Sequence, residues 1–183
     1  MRVVLDACVL FPTVQRQLLT GMAAAGLFAP VWSERILEEW ARACARLGAG
    51  PEVIARGESV QLRLDWPGAM VRPDPEADRM LDLPDPDDRH VLGSAIRSGA
   101  GLIVTSNLRD FPPRLLLPQG VRALDPDRFL IDLADGSPGL VGEIADSVRR
   151  LAEHLSGEPQ PPRALMKRAG LPRFGKWLEH AAA

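Results

Sequence analysis

Short apolar runs that stop at a polar residue, each followed by a stretch with helical spacing, constrain this chain more than any other feature. Residues 2–5 (Arg-Val-Val-Leu) are rich in β-branched side chains and end at Asp6, the pattern of a strand buried on both faces. From about Val14 to Ala25, Leu18, Leu19, Met22 and Ala23 share one helical face. Leu27–Val31 reads as a second strand. Ser33 has the chemistry of an N-cap for a helix from Glu34 to about Leu47, whose stripe is Leu37, Trp40, Ala41 and Cys44 and which Gly48 closes. Pro51–Asp65 reads as a further helix and Met70–Arg72 as a short edge strand. Pro84-Asp-Pro-Asp-Asp is a turn, capped by Asp85 or Asp87, into a helix with Val91, Leu92, Ala95 and Ile96 at helical spacing. Gly99-Ala-Gly ends that helix, Leu102-Ile-Val-Thr is the plainest buried strand, and Val121–Leu124 is one more.

Strands that alternate with helices predict an α/β fold with a central parallel sheet covered on both faces. In such sheets functional groups gather beyond the carboxyl ends of the strands. Asp6 and the segment Thr105–Asp110 fall at such ends. The character changes near residue 131: a break at Gly136-Ser-Pro-Gly, an amphipathic helix over Leu140–Leu155, and a stiff linker, Gly157-Glu-Pro-Gln-Pro-Pro. The expected organisation is therefore an α/β domain over 1–130 and a helical C-terminal extension over 131–183. The tail carries Arg163, Lys167, Arg168, Arg173 and Lys176 against Glu179, interleaved with Leu165, Met166, Leu171, Phe174 and Trp177. It reads as an RNA-binding or partner-docking element, or as a helix that buries its apolar side and solvates its charges.

Composition narrows the function classes. With 183 residues, 46% hydrophobic and 25% charged, the chain can bury an ordinary core. Its net charge of −2 gives no global attraction to nucleic acid, so any RNA contact must be local or through a bound metal. Cys8 and Cys44 make neither a disulfide framework nor a zinc site, and His90, His154 and His180 are scattered. The start, MRVVLDACVLF, carries an acid within its apolar run and no small-residue cleavage site, so it is not expected to be a secretory leader. No run approaches the roughly 18–20 apolar residues of a membrane span, and a cytoplasmic location is expected. Cys8, two residues after Asp6, is expected to face away from it as a core thiol.

Four acidic groups stand out: Asp6, Glu38/Glu39, Asp85/Asp87/Asp88 and Asp110. Acids at helix starts are commonly caps, which accounts for Asp85 and Asp87. Asp6 is different, because it sits between Val-Val-Leu and Ala-Cys-Val-Leu with no polar neighbour to offset its desolvation. Clustered carboxylates repel one another until a divalent cation neutralises them, and magnesium and manganese are hard ions that prefer oxygen ligands.

Read in order, Val-Val-Leu-Asp6-Ala-Cys-Val-Leu, Ser33-Glu-Arg-Ile-Leu-Glu-Glu39-Trp, Asp85-Pro-Asp-Asp88-Arg-His-Val-Leu-Gly-Ser-Ala-Ile and Ile103-Val-Thr-Ser-Asn107-Leu-Arg-Asp110-Phe resemble the motifs of the PIN-domain family. The chain is most similar to its VapC-like toxin ribonucleases, over roughly residues 1–130. The resemblance implies a three-layer α/β/α PIN-like fold and a Mg2+- or Mn2+-dependent endoribonuclease that acts in a toxin–antitoxin pair. It implies RNA as substrate, an antitoxin protein as partner, and homodimers as a class property. It places catalytic acids at Asp6, Glu39 (with Glu38 as its neighbour), Asp88 and Asp110, with Asp85 as an auxiliary acid. Many members have Asp where this chain has Asn107, so the fourth group is Asn107 or Asp110, and the expected metal set is Asp6, Asp88, Asp110 and Asn107. Thr105, Ser106, Arg89 and Arg109 are expected against substrate, with strand-end hydrogen bonding or solvated charge as the plain alternatives. His90 is expected to be a packing or surface residue. A haloacid-dehalogenase-type phosphatase also begins with a strand ending in Asp, but it needs a second Asp where Cys8 stands. A PIN-like domain that binds RNA or protein without cutting is the competing reading, resting on Asn107.

Overall fold

A computed structural model describes residues 1–181. In chain order the elements are β1 (Arg2–Leu5), α1 (Ala7–Leu10), α2 (Thr13–Ala24), β2 (Ala29–Ser33), α3 (Glu34–Ala45), α4 (Ala49–Asp65), β3 (Met70–Val71) and α5 (Pro75–Arg79). Then come α6 (Arg89–Ser98), β4 (Leu102–Val104), α7 (Pro113–Leu116), β5 (Arg122–Leu124), α8 (Pro126–Gly136), α9 (Pro138–Ser156), α10 (Pro162–Arg168) and α11 (Pro172–Ala181). Short 3-10 turns at Pro86–Asp88 and Leu108–Asp110 lead into α6 and follow β4.

The backbone packs as two compact units, one of Met1–Phe11 with Phe28–Leu124 and one of Pro12–Leu27 with Asp125–Ala183. The first holds the sheet, in which five strands run parallel in the order β3-β2-β1-β4-β5. The fold is α/β with a helical C-terminal extension, as the alternation of strands and helices predicts. Val3, Val4 and Leu5 are wholly buried, as are Ile103 and Val104, which is why these strands read as continuous apolar runs rather than alternating ones. Each such side chain contributes about 1.5–3 kcal/mol on burial. The chain leaves β1 for β2 and β3 on one side and returns to β4 and β5 on the other. The carboxyl ends of β1 and β4 therefore form a switch point, the place where parallel sheets open a crevice.

Local chemistry sets the helix starts. Ser33 caps α3 by accepting from the Ile36 N–H at 3.3 Å, and Ile36, Leu37, Trp40, Ala41 and Cys44 are its buried stripe. Asp6 caps α1 directly, accepting from the Ala7 N–H at 2.6 Å. Gly99 ends α6 with φ 66°, a left-handed conformation suited to glycine.

The second unit is helical. The expected junction at 130–131 lies inside α8. Asp127 on that helix, 5% exposed, accepts from the N–H groups of Arg173 and Phe174 at 2.9 and 2.8 Å and so closes the start of α11. Leu165, Met166, Leu171 and Phe174 of the basic tail are buried within this unit. Lys167, Arg168, Arg173 and Lys176 point to solvent, as the packing alternative for the tail predicts. Among the described residues, no helix is long and apolar enough to cross a membrane.

Candidate metal centre

The crevice is built from the first unit alone. At the end of β1, Asp6 is 6% exposed, and its backbone N–H donates to the Val104 carbonyl of β4 at 3.1 Å. Its carboxylate is held from three sides. Oδ1 accepts from the Ala7 N–H, while Oδ2 accepts from the Thr105 hydroxyl at 2.7 Å and the Cys8 thiol at 3.1 Å. Thr105 is completely buried and spends its one hydroxyl proton on Asp6, while its Oγ1 accepts from the Asn107 N–H at 3.0 Å. A buried carboxylate with three donors is fixed in place and remains an acceptor.

Cys8 does not lie where the sequence predicts. The expectation of a core thiol facing away from Asp6 assumed an extended segment, but Asp6 caps a helical turn at once and brings Cys8 back over its own carboxylate. Burial first, and then the Asp6 charge, push the Cys8 thiol up to about 12, so it stays a donor to Asp6 at neutral pH. Its sulfur accepts from the Ser106 N–H at 3.2 Å.

Three more aspartates arrive on 3-10 turns. Asp85 caps the first turn, accepting from the Asp87 N–H at 2.8 Å, and Asp88 ends it at the start of α6. Asp110 lies on the turn after β4, where the Asn107 side-chain amide donates to its Oδ2. Because a carboxylate only accepts, Asn107 must present nitrogen, and it orients Asp110 through its amide. One oxygen each of Asp85, Asp88 and Asp110 lies within 4.8 Å of the others. Burial, and then the charges of Asp6, Asp85 and Asp110, push the Asp88 carboxyl up to about 7.

The donor set fits a hard divalent cation. Oxygens about 2.0–2.1 Å from magnesium stand roughly 3–4 Å apart, so only a small contraction of the trio is needed. The Asp88 Oδ2 is buried and has no hydrogen-bond partner among the described residues. No side-chain cation of the described residues comes within 4.0 Å of Asp6, Asp85, Asp88 or Asp110. An orphaned buried oxygen amid unmatched negative charge is the local signature of a site completed by a positive ion.

Other residues singled out from the sequence sit around this cluster. Glu39 points to Arg35 at 2.8 Å and to His90 Nε2 at 3.2 Å. Burial raises its carboxyl, but His90 and Arg35 outweigh that and hold it below the usual range. Its neighbour Glu38 is drawn instead to Arg56 and Arg42 on the surface, which bring it down to about 2. The structure thus separates the two glutamates. Ser106 and Arg109 are exposed, and Arg89 opens α6 beside Asp88. His90, 6% exposed, is a buried partner of Glu39, and Asp85 is a full member of the trio. Both were legible in part: Asp85 precedes Pro86, the signature of a cap, and His90 falls one turn before the buried Ser94, whose hydroxyl returns to the His90 carbonyl at 2.7 Å.

Comparison with known proteins points the same way. A 48-residue segment is 52% identical to a Mycobacterium tuberculosis (strain ATCC 25618 / H37Rv) protein named "Putative ribonuclease VapC50", covering 26% of this chain and 28% of that protein. The match thus spans little more than a quarter of the relative's length. No solved structure matches the chain significantly. The family model of the PIN domain matches residues 2–109, more than half the chain and every element that carries the aspartates except the last residue of the Leu108–Asp110 turn. The chain belongs to the PIN domain family.

Proposed function

We propose that this chain is a Mg2+- or Mn2+-dependent endoribonuclease that hydrolyses RNA phosphodiester bonds in the cytoplasm, the toxin of a toxin–antitoxin pair. The observation that carries the reading is the approach of Asp85, Asp88 and Asp110 oxygens beside the buried Asp6, with no side-chain cation of the described residues within 4.0 Å to balance them. Family membership and the ribonuclease name of the partial relative support the same reaction class.

Asp85, Asp88 and Asp110 are the residues that would hold the ion, with Asp6 behind them. The bound ion would lower the pKa of a water for attack on phosphorus and offset charge on the phosphoryl oxygens. Asp6, fixed by Ala7, Cys8 and Thr105, supplies negative charge that needs no reorganisation during the reaction. Asp88 carries a proton for part of the time near neutrality and releases it when a cation arrives. Asn107 sets the direction of the Asp110 carboxylate. Glu39 is parked between Arg35 and His90, and reaches the cluster by exchanging those partners. Thr105, fully buried and committed to Asp6 and Asn107, positions the acid rather than touching substrate, against the expectation from the sequence; Ser106, Arg89 and Arg109 are the groups offered to the RNA backbone. A cognate antitoxin and a homodimeric assembly belong to the same reading.

The test is cleavage of single-stranded RNA with manganese, compared between the wild type and Asp6→Asn and Asp88→Asn, with manganese binding followed by calorimetry. Loss of cleavage in folded variants is expected. Wild-type protein that neither binds manganese nor cuts RNA would leave an RNA- or protein-binding module instead.

A further inference from the structure

A cavity of about 340 Å³ lies beside the aspartates in the first unit, and four guanidinium groups line it against one carboxylate. Arg35 comes from α3, Arg79 from the end of α5, and Arg89 and Arg97 from the first and last turns of α6. The wall is built to be rigid. Asp78, 7% exposed, grips Arg97 at 2.6 Å, and the pair occupies the space over Gly93, where a Cβ would meet Asp78 Oδ1 at 1.8 Å. That contact explains a glycine in the interior of a helix. Arg35 is tied to Glu39 and Asp87.

Arg79 and Arg89 have no such match, since no carboxylate of the described residues lies within 4.0 Å of either. The Arg89 Nε is buried without a hydrogen-bond partner, and so is Nδ1 of His90, a further lining residue that is 6% exposed. A buried Arg89 Nε–H without an acceptor, beside two guanidinium groups that no carboxylate balances, calls for an anion, although Arg89 Nη1 also reaches the Arg79 carbonyl at 3.5 Å. Guanidinium forks suit tetrahedral oxyanions, which present several acceptor oxygens at once, whereas a carboxylate presents two. Arg89 follows Asp88 in sequence, so the cavity begins where the acidic cluster ends.

We propose that this cavity takes a phosphate group of the RNA strand, next to the phosphate that lies at the aspartates. The anion site stands on its own lining; its assignment to a strand being cut rests on the nuclease reading above. The phosphate is either a backbone diester or a terminal monoester, which share the chemistry that the arginines recognise.

The experiment uses the full chain in EDTA, so that binding is read without cleavage and without a metal. Fluorescent single-stranded RNA with either a 5′-hydroxyl or a 5′-phosphate is titrated by anisotropy at several salt concentrations against the wild type, Arg79→Gln/Arg89→Gln and Arg79→Lys/Arg89→Lys. The glutamine pair is expected to weaken binding about tenfold and to flatten the slope of log K against log salt by roughly 0.7, the share of the one phosphate that the two arginines hold on a single strand. The lysine pair, which keeps the charge and loses the fork, should recover the slope but not the whole affinity. Inorganic phosphate should compete with RNA on the wild type and not on the glutamine pair. Equal losses on both RNAs assign the cavity to a backbone diester, and a loss confined to the 5′-phosphorylated strand assigns it to a terminal monoester. Unchanged affinity and slope in a glutamine pair that melts like the wild type would overturn the proposal. So would an acidic peptide of equal charge that competes as well as phosphate, since the cavity would then be a protein-docking site. Absent manganese binding with arginine-dependent RNA binding intact would sink the nuclease reading and leave this site standing, and the converse result would do the reverse.

Discussion

Removing the charge of Asp88 should stabilise the metal-free protein above neutral pH and leave its stability nearly unchanged in acid. The carboxyl rises from 3.8 to about 7 on folding. A pKa raised in the folded state means that the folded protein binds the proton more tightly. The resulting stabilisation is complete below the unfolded value near 3.8 and is lost as pH climbs through about 7. Some 3 pH units correspond to at most about 4 kcal/mol at 1.36 kcal/mol per unit. Asp88 is only half-buried, and solvent screening reduces that to about 1–2 kcal/mol. For a chain of this size 1 kcal/mol moves the melting temperature by about 2–4 °C. Asp88→Asn should therefore melt about 2–8 °C above the wild type at pH 8.5, and the gap should shrink as pH falls through about 7 and close near 3.8.

The assay is thermal melting followed by circular dichroism in EDTA across that range, reported as variant minus wild type so that other titrations cancel. Manganese adds a second readout. At pH 6 its binding to the wild type should release close to one proton, measured by calorimetry in two buffers of different ionisation enthalpy, because Asp88 must deprotonate to coordinate. Melting curves that run parallel at all pH values would refute the reasoning, because the four aspartates would then not repel one another as their geometry requires.

Three further outcomes follow from individual contacts. Thr105→Val keeps the shape and removes the only hydroxyl donor to the buried Asp6 Oδ2. It should cost about 1–3 kcal/mol in urea unfolding and weaken manganese binding by roughly 10–100-fold, and an unchanged affinity would argue against Asp6 acting behind the metal. Cys8, held at about 12 rather than 9.0, should carry on the order of a thousandfold less thiolate than a free cysteine at pH 7.5. Mass-resolved labelling of native protein with iodoacetamide should leave it unmodified, and rapid alkylation there would contradict the contact with Asp6. Asp127→Ala removes both acceptors of the α11 N-terminus and should cost about 1–2 kcal/mol with a fall in helicity, while manganese binding in the other unit is unaffected.

How much of this was legible in the sequence varied with the length of the signal. β1 and β4 were plain, because a strand buried on both faces leaves an unbroken apolar run, and Asp6 was conspicuous for lacking polar neighbours. The α3 boundaries were set by a cap and a stripe and needed only a trim. Leu27 and Phe28 read as strand, but Gly26 turns the chain with φ 78° and pairing starts at Ala29. What escaped were a short helix and one that straddles the expected domain junction. Asp74-Pro75 and Asp125-Pro126 are both N-cap and first-turn proline signals, and they open α5 and α8. Five residues are too few to show a helical repeat, so α5 and the Asp78 on it went unseen, and with them the arginine-lined cavity. Cys8 failed for a different reason. Its side depended on whether the chain stays extended after Asp6, and the competition between extension and a self-capped turn is decided by tertiary contacts with β4.

The unmatched aspartates are not a consequence of a shortage of cations. The chain has 22 lysines and arginines against 24 acids, and in the first unit Glu34, Glu38, Glu39 and Asp78 each hold an arginine. Asp6, Asp85, Asp88 and Asp110 come together without one, although four arginines line the cavity next door. A sequence shaped for stability alone would place a cation there, so the omission is a cost borne at the site. Asn107→Lys tests this directly. Asn107 already donates to Asp110, so an ammonium on a longer stem at that position reaches the centre of the trio. It should raise the melting temperature in EDTA by about 1–4 °C, in line with up to about 1 kcal/mol for a partly exposed pair, while abolishing manganese binding and cleavage. A variant that is less stable in EDTA yet still binds manganese would show that the aspartates are balanced by the fold itself, and the charge gap would then have no connection with a metal.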